Sequence, residues 1–177
     1  MNFLFLSEDQ NDKIISFLLE RGLVDWTKEK ISQEKVIQYD WIISYRYRHI
    51  ISKKILEATK NPIINLHISF LPYNRGAHPN YWSFKERTPK GVSIHFIDEG
   101  IDTGPILIQK KCTFTKEDTL ATSYLKLRNK IEELFYSSFD KIIAKEIIPT
   151  PQRSIGTFHN VKDLPHGIDW NKNINNL

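Results

Sequence analysis

Residues 64–84 read INLHISFLPYNRGAHPNYWSF. The apolar run around its start predicts a strand over 63–68, and Asn65 and His67 lie two positions apart within it. Strand side chains at i and i+2 share a face, so this spacing turns an amide and an imidazole toward one small group. An Arg-Gly turn and a Pro-Asn-Tyr-Trp cluster follow. Polar residues closing a buried strand suit an open parallel sheet, in which ligands sit beyond the carboxyl ends of the strands.

The surrounding pattern agrees with such a sheet. Residues 2–6 and 41–45 (WIISY) read as further strands. Between them Ile14, Ile15, Leu18 and Leu19 mark the apolar face of a helix, with Ser7 as its expected cap and Gly22 as its expected end. Ser52 can cap a short helix through Thr59, and Pro62 forbids its simple extension. Residues 24–39 fit either a short strand or a turn of helix. Beyond the quoted stretch, 91–97 and 106–114 read as strands flanking the turn-rich DEGIDTGP. Leu120, Tyr124, Leu127, Ile131, Leu134 and Ile142 recur at helical spacing, which predicts one long helix over 119–145 capped by Asp118 or Thr119. The expectation is an α/β domain with a mainly parallel sheet flanked by helices. A long C-terminal helix and an irregular tail from about residue 147 complete it.

Asp102 falls in the loop after another strand. A carboxylate there can orient His67 and favour its charged form. Asn65 offers N–H donors to a developing oxyanion. No serine or cysteine is placed as a nucleophile, so the three suit acyl transfer in which the substrate brings its own. Each also has a plainer reading. A lone Asn or His at a strand end is more often structural than catalytic, Asp98, Glu99 and Asp102 can be turn formers beside Gly100 and Gly104, and His95 reads as a packed strand histidine. No Gly-rich phosphate loop follows the first strand, and no His/Cys/Asp set has a metal-ligand spacing, so no metal is expected.

The chain has 177 residues, the length of one ordinary domain, with 40% hydrophobic and 26% charged residues. No apolar run approaches the roughly 20 residues of a membrane helix. The opening MNFLFLSEDQ has neither a basic leader nor a small-residue cleavage site, which argues against a secretory signal. The single cysteine, Cys112, reads as a buried strand thiol and suits a cytoplasmic setting. The net charge of +4 favours anionic ligands, but the basic residues are scattered and no nucleic-acid motif stands out.

The segments NLHISFLP, NRGAHPN and GVSIHFIDEGIDTGPILIQ together resemble the folate-dependent formyltransferases, over roughly Tyr45 to Gln109. That family includes glycinamide ribonucleotide, methionyl-tRNA and nucleotide-sugar enzymes. The resemblance implies a Rossmann-like single catalytic domain over 1–177, with 10-formyltetrahydrofolate as formyl donor and no metal. It places the family's catalytic residues on Asn65, His67 and Asp102. It puts the folate contacts on Arg48, His49 and Ile50 and on Ile97, Asp98 and Ile101. The continuation NYWS, the stretch TPKG at 88–91 and GTFHNVKDL at 156–164 look most like the nucleotide-sugar branch. The implied acceptor is the 4-amino group of a UDP- or dTDP-linked dideoxyamino sugar for surface glycans. Tyr73, Arg75, His78, Asn80 and Trp82 are its expected contacts, Arg75 through a phosphate. Trp82 and Phe84 could equally anchor the loop to the core. Sugar enzymes commonly carry more sequence after this core, so a homodimer is a further expectation. The rival readings are the glycinamide ribonucleotide and methionyl-tRNA activities and a non-catalytic folate or nucleotide-sugar binding module.

Overall fold

The computed structural model describes residues 1–177. Along the first part of the chain β1 (Asn2–Ser7), α1 (Asp12–Leu19), β2 (Leu23–Thr27), α2 (Gln33–Val36), β3 (Trp41–Tyr45), α3 (Lys53–Ala58) and β4 (Ile64–His67) alternate. Then come β5 (Arg75–Gly76), α4 (Pro79–Lys85), β6 (Gly91–Phe96), β7 (Ile106–Lys111), the long α5 (Leu120–Ile143) and β8 (Phe158–His159). Six strands form one sheet in the order β2-β1-β3-β4-β6-β7, Rossmann-like and flanked by helices. The first four are parallel, whereas β4–β6 and β6–β7 pair antiparallel. The loop from β6 to β7 is too short for the crossover of a dozen or more residues that a parallel pair requires.

β1 shows why the sheet is sealed on both sides. Phe3 and Phe5 point to one face with Ile43, Ile64 and α5, while Leu4 and Leu6 point to the other with Val36 and Ile51. All four are inaccessible to solvent. Such continuous apolar strands are the signature of a parallel sheet covered on both faces. Helix α5 lays Leu127, Ile131, Phe135 and Phe139 on the first face, with Phe3 and Phe139 rings 5.8 Å apart.

Several local expectations are corrected. Ser7 ends β1 and is buried, and the cap of α1 is Asn11, which accepts the Ile14 N–H at 3.1 Å and donates to Glu132 at 2.9 Å. The helix ends at Leu19, before Gly22. A side chain at Gly22 would meet the Met1 carbonyl oxygen at 2.0 Å, so that glycine serves the close approach of β2 to β1. Residues 24–39 hold both a strand and a helix. β7 stops at Lys111, leaving Cys112 half-buried just past its end. Thr119 caps α5 in a reciprocal box with Thr122. The tail contains β8, paired in parallel with β5, and two short 3-10 turns, Val161–Asp163 and Ile174–Asn176. No helix is long and apolar enough to cross a membrane.

Candidate active site

Strand β4 delivers Asn65 and His67 to the carboxyl edge of the sheet, and the loop between β6 and β7 delivers Asp102. Asn65 Nδ2 donates to Asp102 Oδ1 at 3.2 Å. His67 Nδ1 lies 3.6 Å from Asp102 Oδ2. The Asp102 backbone is left-handed (φ 53°), a conformation that aspartate tolerates better than most residues. Its Oδ2 accepts the Gly76 N–H at 2.8 Å. Gly76 itself has φ 84°, and a Cβ there would meet the His159 carbonyl oxygen at 2.3 Å, so only glycine brings that N–H to the carboxylate.

A fourth polar side chain joins these three. His95 on β6 stands directly opposite Asn65 in the ladder. Its Nδ1–H donates to the Phe96 carbonyl at 2.7 Å, which leaves Nε2 to accept the second Asn65 N–H at 3.0 Å. Both amide hydrogens of Asn65 are therefore spent on His95 and Asp102, and its Oδ1 makes no hydrogen bond. Sequence reasoning had pointed those hydrogens at the substrate. His67 is also more enclosed than its spacing suggested. It is 8% exposed, and its Nε2 donates to the Asn74 carbonyl at 3.2 Å.

The electrostatics follow from burial. Burial is the largest influence on His67 and moves its pKa below the ordinary 6.5, against the pull of Asp102 and the Asn74 carbonyl. The imidazole is thus neutral at pH 7, where the expectation had been a charged ring. Burial also disfavours ionised Asp102, but the attraction of the His67 and His95 rings in their protonated forms and the Gly76 N–H outweigh it. With both rings neutral, the N–H groups of Gly76 and Asn65 still hold the carboxylate ionised. Its pKa lies far below the usual carboxylate range.

A cleft of about 820 Å³ opens over this cluster. Its walls are residues 46–51, the 97–102 loop, the 76–78 turn and residues 158–161 of the tail. Asn65, His95 and Asp102 reach it, as do Arg48, His49, Ile50, Ile97, Asp98 and Ile101. Ile50 and Ile101 are exposed at its rim, 81% and 44% respectively, offering apolar surface to a flat ligand. The cleft thus offers apolar lips above a polar floor. No group of three or more His, Cys, Asp or Glu side chains is disposed to hold a metal ion.

Of the five expected acceptor contacts, His78 and Asn80 line one apolar cavity, whereas Tyr73, Arg75 and Trp82 line neither it nor the cleft. His78 lines the cleft as well as this cavity of about 460 Å³, built from Ile68, Tyr81, Tyr124 and Trp170 among others. Asn80 is buried and ties α4 to α5, donating to the Leu120 carbonyl at 2.9 Å and accepting from Ser123 at 3.1 Å. Trp82 stacks on His159 with centroids 4.0 Å apart. Phe84 packs edge-on against Phe114. Tyr73 is half-buried, its carbonyl accepting from Ser69 at 2.6 Å. Arg75 does not point at open solvent: Nε and Nη2 both donate to Gln152 Oε1, at 3.1 and 2.7 Å. Sequence reasoning missed His95 as a neighbour of Asn65, and also missed Gln152, Tyr124 and Trp170. None carried a local signal, because the register that sets His95 opposite Asn65 belongs to the pairing of β4 with β6.

A family model described as formyl transferase matches residues 25–139. A methionyl-tRNA formyltransferase from Thermodesulfovibrio yellowstonii is 36% identical over 95% of this chain and 57% of its own. One from Enterococcus faecalis is 36% identical over 87% of this chain and 52% of its own. The chain therefore spans about half the length of the curated relatives it matches. Among solved structures, the formyltransferase PseJ from Anoxybacillus kamchatkensis is 39% identical, with a TM-score of 0.90 over 98% of this chain and 96% of its own. It was crystallised with UDP-4,6-dideoxy-4-formamido-L-AltNAc and tetrahydrofolate. A 4-N formyltransferase from Francisella tularensis, 24% identical over 92% of this chain and 77% of its own, shares the fold with a TM-score of 0.79.

Proposed function

The chain belongs to the formyl transferase family, and from that premise we propose that it moves a formyl group from 10-formyltetrahydrofolate to the 4-amino group of a nucleotide-linked dideoxyamino sugar. The observation that carries the transfer is the convergence of Asn65, His67 and Asp102 under a cleft, with Asn65 and Asp102 on its floor and His67 buried just behind them. The sugar assignment is supported by the 39% identity and the 0.90 TM-score to a formyltransferase crystallised with a UDP-linked 4-formamido sugar.

The geometry suggests the division of labour. Orienting donor and acceptor across the cleft supplies a large part of the rate. As the acceptor nitrogen bonds to the formyl carbon, negative charge grows on the formyl oxygen and positive charge on the nitrogen. Asn65 sits at the cleft floor to contact this centre. His67, neutral because it is buried, takes the proton that the nitrogen must lose. The anionic Asp102 then stabilises the imidazolium. A neutral ring that donates Nε2–H to the Asn74 carbonyl has no lone pair at Nε2. The step therefore uses the tautomer with Nδ1–H toward Asp102, which gives up the long 3.2 Å contact to Asn74 and turns a bare Nε2 to the acceptor nitrogen. The proton is then available to the folate nitrogen as the carbon–nitrogen bond to the donor breaks.

The second reading is transfer to methionyl-tRNA, favoured by the identity to enzymes of that name. Formyl transfer from 10-formyltetrahydrofolate is measured on UDP- and dTDP-linked 4-amino sugars, glycinamide ribonucleotide and charged initiator tRNA. Product on a nucleotide sugar is expected. Product on tRNA alone overturns the sugar assignment, and folate binding with no product on any acceptor makes the chain a binding module.

A further inference from the structure

Gln152, in the tail, uses every hydrogen-bonding position of its side-chain amide between two loops of the site. Its Nε2 donates to the backbone carbonyls of Asp102 and Gly104, at 2.9 and 2.8 Å. Its Oε1 accepts the forked pair from Arg75, and Arg75 Nη1 reaches the Ile155 carbonyl at 3.2 Å. One amide thus joins the 102–104 turn to the 75–76 turn, the same two segments that meet again where the Gly76 N–H donates to Asp102. The 102–104 turn has good reason to need an outside support. Asp102 is held left-handed, and Gly104 lies so close to Phe96 that a Cβ would sit 1.9 Å from its carbonyl oxygen. A backbone in a sparsely populated region persists only where its surroundings over-determine it.

We propose that Gln152 is a positioning residue that, braced by Arg75, fixes the Asp102 carboxylate against His67 and Asn65. The assignment rests on reading Asp102 as part of the reacting site. It gives Arg75 a role other than the phosphate contact expected from sequence, since its guanidinium is already engaged by a tail residue 77 positions away. It also gives the tail a part in catalysis without any tail atom touching a reacting atom. The amide is the chemically suited choice: its oxygen answers a guanidinium while its nitrogen answers two carbonyls. Glutamate would satisfy Arg75 but would place an oxygen against both carbonyls.

The test uses the full chain with Gln152→Ala and Gln152→Glu, and Gln152→Met if the alanine variant does not fold. Two readouts separate positioning from mere packing. First, ring-nitrogen NMR follows the titration of His67, assigned with His67→Gln, and uses the exposed His166 as reference. If Asp102 recoils from His67, the titration of His67 moves to lower pH in every Gln152 variant while His166 stays put. An unmoved His67 overturns the proposal, whichever acceptor the enzyme takes. Second, kcat for formyl transfer falls roughly tenfold to a hundredfold in Gln152→Ala, but by less than about twofold when Asp102→Asn is already present, because the two act through one group. An equal loss in both backgrounds overturns it. Gln152→Glu, which keeps an oxygen for Arg75 and makes that contact an ion pair, is expected to fail like the alanine variant; recovery of kcat by glutamate would assign the residue to tail anchoring alone. If the wild type transfers formyl to none of the acceptors, the functional proposal falls while the His67 titration still decides this one.

Discussion

At the scale of the residue, the site shows which contacts a sequence can announce. Asn65 and His67 share a strand face because they are two apart, and that was legible. Asp102 was legible only as a carboxylate in a turn. His95 looked like a packed strand histidine, and it is buried, yet it decides which way the Asn65 amide faces. That depends on β4 and β6 being antiparallel neighbours with Asn65 opposite His95, a register no local pattern reports. The charge on His67 was likewise hidden: a nearby carboxylate was visible, the depth of burial was not. His67→Ala is expected to lower turnover by roughly a hundredfold or more through loss of the proton acceptor. Asn65→Ala is expected to lower it by a similar factor, roughly a hundredfold, through release of Asp102, which Asn65 holds at 3.2 Å. Folate-analogue binding is retained in both. Near-normal turnover in a folded variant removes that residue from the mechanism. The neutral His67 adds a pH signature. Its folded pKa is depressed below 6.5, so the proton-accepting form prevails at pH 7 and is lost only as pH falls through the lowered value. The acid limb of kcat/KM should have its midpoint below 6.5 and should vanish in His67→Gln. A midpoint above that value would mean that the carboxylate, and not burial, governs the ring.

At the scale of the element, α5 was the easiest feature to read, because its apolar residues recur over many turns and Thr119 sits at the boundary. Short elements were harder. The cap of α1 was assigned to Ser7, since a serine after a strand is a common start signal, whereas the chain continues extended to Asn11. There the side chain gains a second bond to Glu132 of α5, a long-range contact that local propensity cannot reveal. The start of α5 also depends on Asp118. Its carboxylate accepts from the Thr115 N–H and Lys126 at 2.8 and 2.7 Å, and from the Thr122 hydroxyl at 2.9 Å. The hydrogen bond from Lys126 is the largest cause that lowers its pKa from 3.8 to about 2, burial opposing. Folding therefore favours the ionised form. The associated stability is complete above the unfolded pKa of about 3.9 and is lost as pH falls through about 2. Asp118→Asn should cost about 1–2 kcal/mol at pH 7 and should flatten the pH dependence of urea unfolding between pH 4 and pH 2. An unchanged slope over that interval would show that the carboxylate is not what secures the helix start.

At the scale of the whole molecule, the cleft is assembled from segments far apart in the chain: residues 46–51, Asn65, the 97–102 loop and residues 158–161. The first two could be placed from sequence because β3 and β4 are parallel and their carboxyl ends share an edge, whereas the 97–102 loop follows the antiparallel β6 and was placed only by the resemblance. The fourth could not. Nothing in a Pro-, Asn- and His-rich tail shows that β8 pairs with β5, or that Thr157 receives the Asn74 N–H at 2.8 Å. A ligand that contacts all four segments binds only the fully assembled fold, so its binding energy adds to global stability. With 5-formyltetrahydrofolate as a stable stand-in for the donor, at about 100 times its Kd, that addition is about 2.7 kcal/mol. For a domain of this size the melting temperature should rise by roughly 5–10 °C. Val161, 73% exposed, belongs to the tail wall of the cleft. Val161→Asp should leave the ligand-free melting temperature within about 2 °C, as surface changes do, yet shrink the ligand-induced rise by setting a carboxylate beside the folate. If the rise is absent in the wild type, the cleft is not a folate site. If it is present and Val161→Asp leaves it intact, the folate is held by the three sheet-edge segments, and the tail serves only the catalytic loops beneath it.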